Sequence, residues 1–109
     1  MKVMIRYRVR PDRVDEHLGL VAAAFEEMAV LRPPRLRYTA HRLNDGLTFV
    51  NLVEGDDLPS PLPDLGAFQR YRAELDERCD EPPVMTELIE IESYPPPSPP
   101  AATTPRRQQ

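Results

Sequence analysis

Asn51 is the side chain in this sequence best placed to take part in chemistry. It interrupts an apolar run at 49–53 (FVNLV), where a primary amide must find hydrogen-bond partners to offset the cost of leaving water. An amide held in this way can bind a phenolate or a developing peroxide through hydrogen bonds. The alternative is an edge-strand asparagine that faces water or bonds across an interface between two sheets.

Two residues of the same region, His41 and Tyr38, are candidates to work with Asn51. Imidazole exchanges protons near neutral pH, so His41 is a candidate base for a phenolic proton. Tyr38 offers an apolar ring with a hydroxyl at its end, which suits the wall of a pocket. The predicted catalytic residues are therefore Asn51, His41 and Tyr38. A surface or dimer-contact histidine is the alternative for His41, and His17 is expected to be partly exposed on a helix.

Metal and nucleotide chemistry find little support in the sequence. Its one cysteine excludes an internal disulfide and a multi-thiolate metal site. The two histidines show no HxH or HxxxH spacing, and the four glycines form neither G-x-G-x-x-G nor a P-loop. We therefore predict no metal site and no cofactor.

Charge and hydropathy limit the classes of partner. The 109-residue chain has a formal net charge of −4, which becomes −6 when the two arginines of the last fifteen residues are left out. Such an acidic unit lacks the basic face that nucleic-acid binding needs. No apolar run is long enough to span a bilayer, and the N-terminus lacks an apolar signal segment. We expect a cytoplasmic protein that binds neither nucleic acid nor membrane.

Hydrophobic periodicity divides residues 1–94 into six elements. Residues 2–9 alternate apolar and polar side chains, as in a half-buried strand. A helical stripe is formed by Val14, Leu18, Val21, Phe25 and Met28. The predicted elements are strand 2–9, helix 12–32, strands 35–43 and 47–54, helix 65–80, and strand 84–94.

This β-α-β-β-α-β order predicts an α+β, ferredoxin-like sandwich: a four-stranded antiparallel sheet with two helices on one face. Residues 1–94 would form the domain, and residues 95–109 (PPPSPPAATTPRRQQ) a proline-rich, disordered tail. Because two helices cover only one side of the sheet, we expect the other side to pair with a second copy as a homodimer.

The register of the 35–54 hairpin decides which side chains face the helices. Asn44-Asp45-Gly46 joins its strands, and Asp-Gly is a strong hairpin signal. A two-residue turn places Tyr38 on the face of Asn51, whereas a three-residue turn places His41 there. The sequence leaves both registers open.

Three segments together resemble the antibiotic-biosynthesis monooxygenase-like superfamily: KVMIRYRVRPDRVDE, RLRYTAHRLNDGLTFV, and AFQRYRAELDERCDEPPV leading into ELIEIESY. The resemblance covers nearly all of residues 2–94. It implies a dimeric α+β barrel with a ligand cavity between sheet and helices. Haem-degrading and some polyketide-oxidising relatives use an Asn and a Trp in that cavity, and this chain has no Trp. A haem-degrading role is therefore not expected.

The resemblance implies, if the protein is an enzyme, a cofactor-independent monooxygenase acting on a small aromatic, quinol or polyketide-like compound. The alternative is a non-catalytic small-ligand-binding or structural dimer. An enzyme requires a cavity of a few hundred Å³ with at least two convergent polar groups. A space filled by Phe25, Met28, Phe49 and Phe68 would argue against oxygenase activity.

Overall fold

Four strands form a single antiparallel sheet in a computed structural model, which describes residues 1–96. Their order in the sheet is β2-β3-β1-β4. The strands are β1 (Lys2–Val9), β2 (Arg37–Arg42), β3 (Thr48–Glu54) and β4 (Cys79–Leu88). The helices are α1 (Val14–Leu31), α2 (Gly66–Ala73) and α3 (Leu75–Arg78), with short 3-10 turns at Pro11–Arg13 and Leu62–Asp64.

The helices pack on one face of the sheet, so the predicted ferredoxin-like α+β fold is confirmed. The core lies between this face and the helices. No helix within residues 1–96 is long and apolar enough to cross a membrane. The predicted tail at 95–109 lies outside the described residues from position 97 onward.

The β2–β3 hairpin adopts the register in which Tyr38 shares a face with Asn51. Tyr38 pairs with Val53, and Ala40 pairs with Asn51. The connection is a four-residue loop, 44–47, closed by a hydrogen bond from Leu43 N to Thr48 O. The Asp45 carboxylate accepts hydrogen bonds from both backbone N–H groups at 47 and 48, and Gly46 supplies the left-handed φ of 75°.

The second half of the chain differs from the prediction at two points. The helix expected at 65–80 breaks at Glu74 into α2 and the single turn α3. β4 begins at Cys79 rather than at 84, so Pro82-Pro83 lies inside a strand instead of ending a helix. An edge strand accepts proline because one side of its backbone has no hydrogen-bond partner. β4 ends at Leu88, which pairs with Lys2, the first residue of β1. Residues 89–94 therefore have no β1 residue to pair with as a strand.

The buried face of α1 departs from its predicted stripe at Leu18, while Val14 and Met28 are buried as predicted. Leu18 is 37% exposed, whereas its neighbour His17 is fully buried. The expectation of a partly exposed His17 is therefore wrong. A histidine takes an interior position when its nitrogens find partners there, as the site below shows.

Glu27 connects the two main helices. Its Oε1 accepts a hydrogen bond of 2.7 Å from the backbone N–H of Ala67, in the first turn of α2. The N-terminal N–H groups of a helix lack partners within the helix, so a carboxylate from another element can satisfy one of them. This contact fixes the start of α2 relative to α1.

We expect Glu27→Ala to lower the free energy of unfolding by about 1 kcal/mol, because a part-buried helix N-terminus loses its acceptor. Urea unfolding of the purified variant measures the change. Glu26→Ala, on the exposed neighbouring position of α1, is the matched control. Equal losses in both variants would show that the contact with Ala67 does not contribute.

Candidate functional site

Asn51 lies in the middle of β3, between Ile5 of β1 and Ala40 of β2. Its side chain is 1% exposed and points to the helix-covered face. The amide Nδ2 donates to the hydroxyl oxygens of Tyr38, at 3.3 Å, and Tyr71, at 3.0 Å. Its Oδ1 is buried and has no partner among residues 1–96. Asn51 therefore holds two tyrosine hydroxyls together.

The hydrogen bonds continue from Tyr71 into the interior. Its hydroxyl donates to the Tyr7 oxygen at 3.1 Å, and this oxygen is 2.8 Å from Nε2 of His17. On the far side of the imidazole, Arg78 Nε donates to His17 Nδ1 at 3.3 Å. Arg78 also donates from Nη2 to the backbone oxygen of Tyr71. We call these residues, with Asn51 and Tyr38, the buried chain.

Arg78 determines the tautomer of His17. A guanidinium has only donors, so Nδ1 of His17 must be the acceptor and carries no proton. The proton of the neutral imidazole then resides on Nε2, which donates to the Tyr7 oxygen. At this end of the buried chain, hydrogen bonds are therefore donated in one direction, from Arg78 to His17 and from His17 to Tyr7.

Burial favours the neutral form of His17 and of the three tyrosines of this chain. Burial, reinforced by the charge of Arg78, lowers the pKa of His17 to about 4. Burial raises the pKa of Tyr7 to about 12 and raises the pKa of Tyr38 and of Tyr71 further. At neutral pH the tyrosines are hydroxyl donors and His17 is uncharged.

Arg78 is the charged group in this interior. It is 1% exposed, and no carboxylate within the described part of the chain forms an ion pair with it. The groups that face His17 are Tyr7 on β1, Tyr71 on α2 and Arg78 on α3, with Glu16 beside it on α1. The site therefore has a buried positive charge.

The space directly over Asn51 is filled. Phe25 and Met28 of α1 and Phe68 of α2 close over it and leave no room for a water molecule. Three of the four side chains whose packing would argue against an oxygenase therefore fill this space. The fourth, Phe49, is stacked on Tyr7 instead. Asn51 does not reach open space itself.

A cavity of about 340 Å³ lies beside this filled region, between the sheet, α2 and the 58–63 segment. Tyr38 and Tyr71 form part of its wall, so the two tyrosines that Asn51 holds are the link between the cavity and the buried chain. The residues lining the cavity are Met1, Val3, Ile5, Tyr38, Val53, Leu58, Pro59, Leu62, Pro63, Phe68, Tyr71, Arg72 and Met85.

The cavity wall is apolar apart from three side chains, Tyr38, Tyr71 and Arg72. None of the described residues that line it is an aspartate, a glutamate or a histidine. A wall of this kind can bind an aromatic ring system and donate hydrogen bonds to its oxygens. It offers no side chain that would act as a general base at neutral pH.

The structure brings together two of the three predicted site residues. Tyr38 and Asn51 are in contact, whereas His41 is exposed on the opposite face of the sheet, with Nδ1 3.2 Å from the Val50 carbonyl oxygen. The exposure of His41 follows from the hairpin register: Ala40 lies opposite Asn51, and neighbouring residues of a strand point to opposite faces. No cluster of three or more His, Cys, Asp or Glu side chains that would hold a metal occurs within residues 1–96.

Sequence reasoning missed Arg78 and expected His17 to be partly exposed; Tyr71, on the apolar stripe of the predicted helix 65–80, is expected from the sequence to be mainly a core side chain. Tyr71 lies in the predicted helical stripe, so its position was visible but its hydroxyl partners were not. Arg78 shares the helical face of Tyr71 and Leu75, but an arginine there is ordinarily expected to be exposed, so its burial was not predicted.

Solved structures with the same architecture include several oxygenases. The protein Rv0793 of Mycobacterium tuberculosis is 20% identical and superposes with a TM-score of 0.68 over 85% of this chain and 96% of its own. A structure described as an antibiotic biosynthesis monooxygenase is 16% identical, with a TM-score of 0.68 over 84% and 98% of the two chains. The protein shares the fold of these structures, among them one described as an antibiotic biosynthesis monooxygenase.

A third match with this monooxygenase-like fold is a variant of SnoaB, a cofactor-independent oxygenase from Streptomyces nogalater. It is 16% identical, with a TM-score of 0.61 over 86% of this chain and 95% of its own. No protein-family profile and no curated protein sequence matches the chain. The resemblance inferred from the sequence is thus confirmed for the fold.

The buried imidazole predicts an acid-dependent loss of stability. Because the pKa of His17 falls from 6.5 to about 4 on folding, the unfolded chain binds a proton between these values that the folded protein does not. The free energy of unfolding should therefore fall as the pH is lowered through this window, by up to about 1.4 kcal/mol per pH unit.

Urea unfolding between pH 7.5 and pH 5 measures this slope, above the range in which most carboxylates titrate. His17→Gln should be less stable at pH 7.5 and should lose the slope, whereas His41→Gln, on the exposed face, should keep it. An unchanged slope in His17→Gln would contradict the assignment.

Proposed function

We propose that the protein is a homodimeric, cofactor-independent monooxygenase that oxidises a small aromatic, quinol or polyketide-like compound. The observation that carries this proposal is the 340 Å³ apolar cavity whose wall includes two tyrosines joined by Asn51. It meets the requirement for a cavity with two convergent polar groups. The likeness in fold to a cofactor-independent oxygenase supports it.

The reaction we propose is oxidation of a ring CH₂ to a carbonyl, as in an anthrone. The substrate loses a proton to water to give a delocalised anion, which passes one electron to dioxygen. The resulting substrate radical and superoxide combine to form a carbon–oxygen bond, and the peroxide takes up a proton. Loss of water then breaks the O–O bond and leaves the carbonyl. In sum, CH₂ and O₂ give C=O and H₂O.

In this reaction the tyrosines of the cavity wall are the groups that touch the substrate. Tyr38 donates a hydrogen bond to a substrate oxygen and stabilises the anion and the peroxide, while Tyr71, whose proton is donated to Tyr7, contributes its ring to the wall. Asn51 does not line the cavity, so it is a positioning residue that orients both hydroxyls. His41 lies outside the cavity, and its predicted role as a base has no support in the geometry of one protomer.

Oxygen uptake with a panel of anthrones and hydroquinones tests the activity. Tyr38→Phe should reduce kcat/KM by about 100-fold, because it removes a donor to the developing oxyanion. Asn51→Ala should lower kcat without a matching rise in KM, since the bound substrate loses oriented donors rather than contact area. Arg70→Gln, exposed on α2, is the control with unchanged turnover.

A small-ligand-binding protein without catalysis is the second candidate. The lack of an acid or imidazole among the described residues of the cavity wall favours it. Binding of the panel compounds without oxygen uptake would select this function and reject the oxygenase.

The homodimer rests on the sheet face that the helices leave open. Apolar side chains on this face are half-buried or exposed in the single chain, and Val84 is 61% exposed. The apolar members are Met4, Val50, Leu52, Val84 and Leu88. Apolar patches of this kind in a folded protein mark association surfaces.

We expect light scattering to report about twice the chain mass at micromolar concentration. Leu52→Lys should halve that mass while the circular dichroism spectrum is unchanged, because it places a charge in the middle of the interface. Ala22→Lys, on the exposed side of α1, should leave the mass unchanged. A monomeric wild-type protein would contradict the dimer.

A further inference from the structure

We propose that the cavity takes its ligand as an aromatic oxyanion, bound by Arg72 at the wall and stabilised from behind by the buried cation Arg78. The inference rests on the proposed function for the identity of the cavity as the binding site. It goes beyond that function by assigning the charge of the ligand and two residues that select it.

Arg72 is a free cation on the cavity wall. It lies on α2 one residue after Tyr71, and among residues 1–96 its side chain has no ion pair and no hydrogen bond. Arg72 and Tyr38 line the same cavity. A ligand oxygen near Tyr38 is therefore also within the field of Arg72.

Arg78 adds a second positive charge behind the cavity wall. Its guanidinium donates to the backbone oxygen of Tyr71 and to His17, and no carboxylate neutralises it within the described residues. A buried cation without a counter-ion is costly, and an anion bound nearby in low dielectric offsets that cost. The cavity provides the space for such an anion on the other side of Tyr71.

The cavity wall has no carboxylate or imidazole among its described residues, so no side chain there would generate the anion from a neutral ligand. The protein as a whole is acidic, with a net charge of −4, which makes two arginines beside one cavity a local reversal of charge. The arrangement suits capture of an anion formed in water: the phenolate or enolate that reacts with dioxygen.

A coloured phenol reports the charge of the bound ligand directly. We would titrate alizarin, whose visible spectrum changes on deprotonation, free and bound to the full-length protein. The bound dye should titrate about one pH unit lower than the free dye, a tenfold preference for its anion. A bound dye that titrates at or above the pH of the free dye would overturn the proposal.

Arg72→Gln should abolish most of this shift and weaken binding of the anion about tenfold. Arg70→Gln is the matched control, because it removes the same charge from an exposed position of α2 that does not line the cavity. Equal effects of the two variants would reject a specific role for Arg72. Displacement of alizarin by anthraquinone-2-carboxylate but not by anthraquinone would show that a carboxylate substituent also supplies the oxyanion.

The role of Arg78 is tested first on the wild-type protein, because an Arg78 variant that misfolds would give no information. Long-range ¹H–¹⁵N correlation on the wild-type protein should show His17 with its proton on Nε2 at pH 7. Arg78→Lys, which keeps the charge, should retain part of the dye shift, whereas Arg78→Gln should lose it. A His17 proton on Nδ1, or an unchanged shift in a folded Arg78→Gln variant, would exclude the assigned role.

Failure of this inference can be told from failure of the proposed function. Oxygen uptake that does not depend on Arg72 would leave the oxygenase standing and reject anion selection. Tight binding of the dye anion without oxygen uptake would support anion selection and reject the oxygenase. Absence of any dye binding to the wild-type protein would reject both.

Discussion

The buried guanidinium of Arg78 determines the direction of the hydrogen bonds that run through the interior of this protein. It has no carboxylate partner among the described residues. Arg78 donates to His17 and sets the tautomer of the imidazole, while burial, reinforced by the charge of Arg78, lowers its pKa and keeps it neutral. The neutral imidazole then donates to Tyr7, whose oxygen also accepts from Tyr71. Polar groups inside an apolar core are tolerated because each of these contacts satisfies a donor.

Each member of the buried chain comes from a different part of the fold, which explains why the sandwich is needed to assemble it. β1 supplies Tyr7, α1 supplies His17, and β3 supplies Asn51. The break between α2 and α3 allows Tyr71 to face the cavity while Arg78 turns towards α1.

The fold and part of the site were predictable because they follow from local pattern. Period-two and period-3.6 spacing located the strands and α1, and an amide in an apolar strand identified Asn51. The burial of individual helix residues and the start of the last strand were not predictable. His17 and Leu18 are adjacent on the helix, and tertiary hydrogen bonds rather than hydrophobicity decide which is buried. Pro82-Pro83 indicates a helix end locally, yet it is accepted in a strand once that strand lies at the sheet edge.

The segment at 58–63 belongs partly to the cavity wall alone and partly to the core, where Leu62 is buried. Leu58, Pro59, Leu62 and Pro63 form one side of the cavity, while the sheet and α2 form the other. This side belongs to neither a strand nor one of the packed helices. Exchanges at the exposed positions Pro59 and Pro63 would reshape the binding space at small thermodynamic cost, whereas an exchange at Leu62 would also disturb the core. The architecture is therefore suited to diversification, in nature or by directed evolution, because ligand shape and ligand charge are encoded in separate segments.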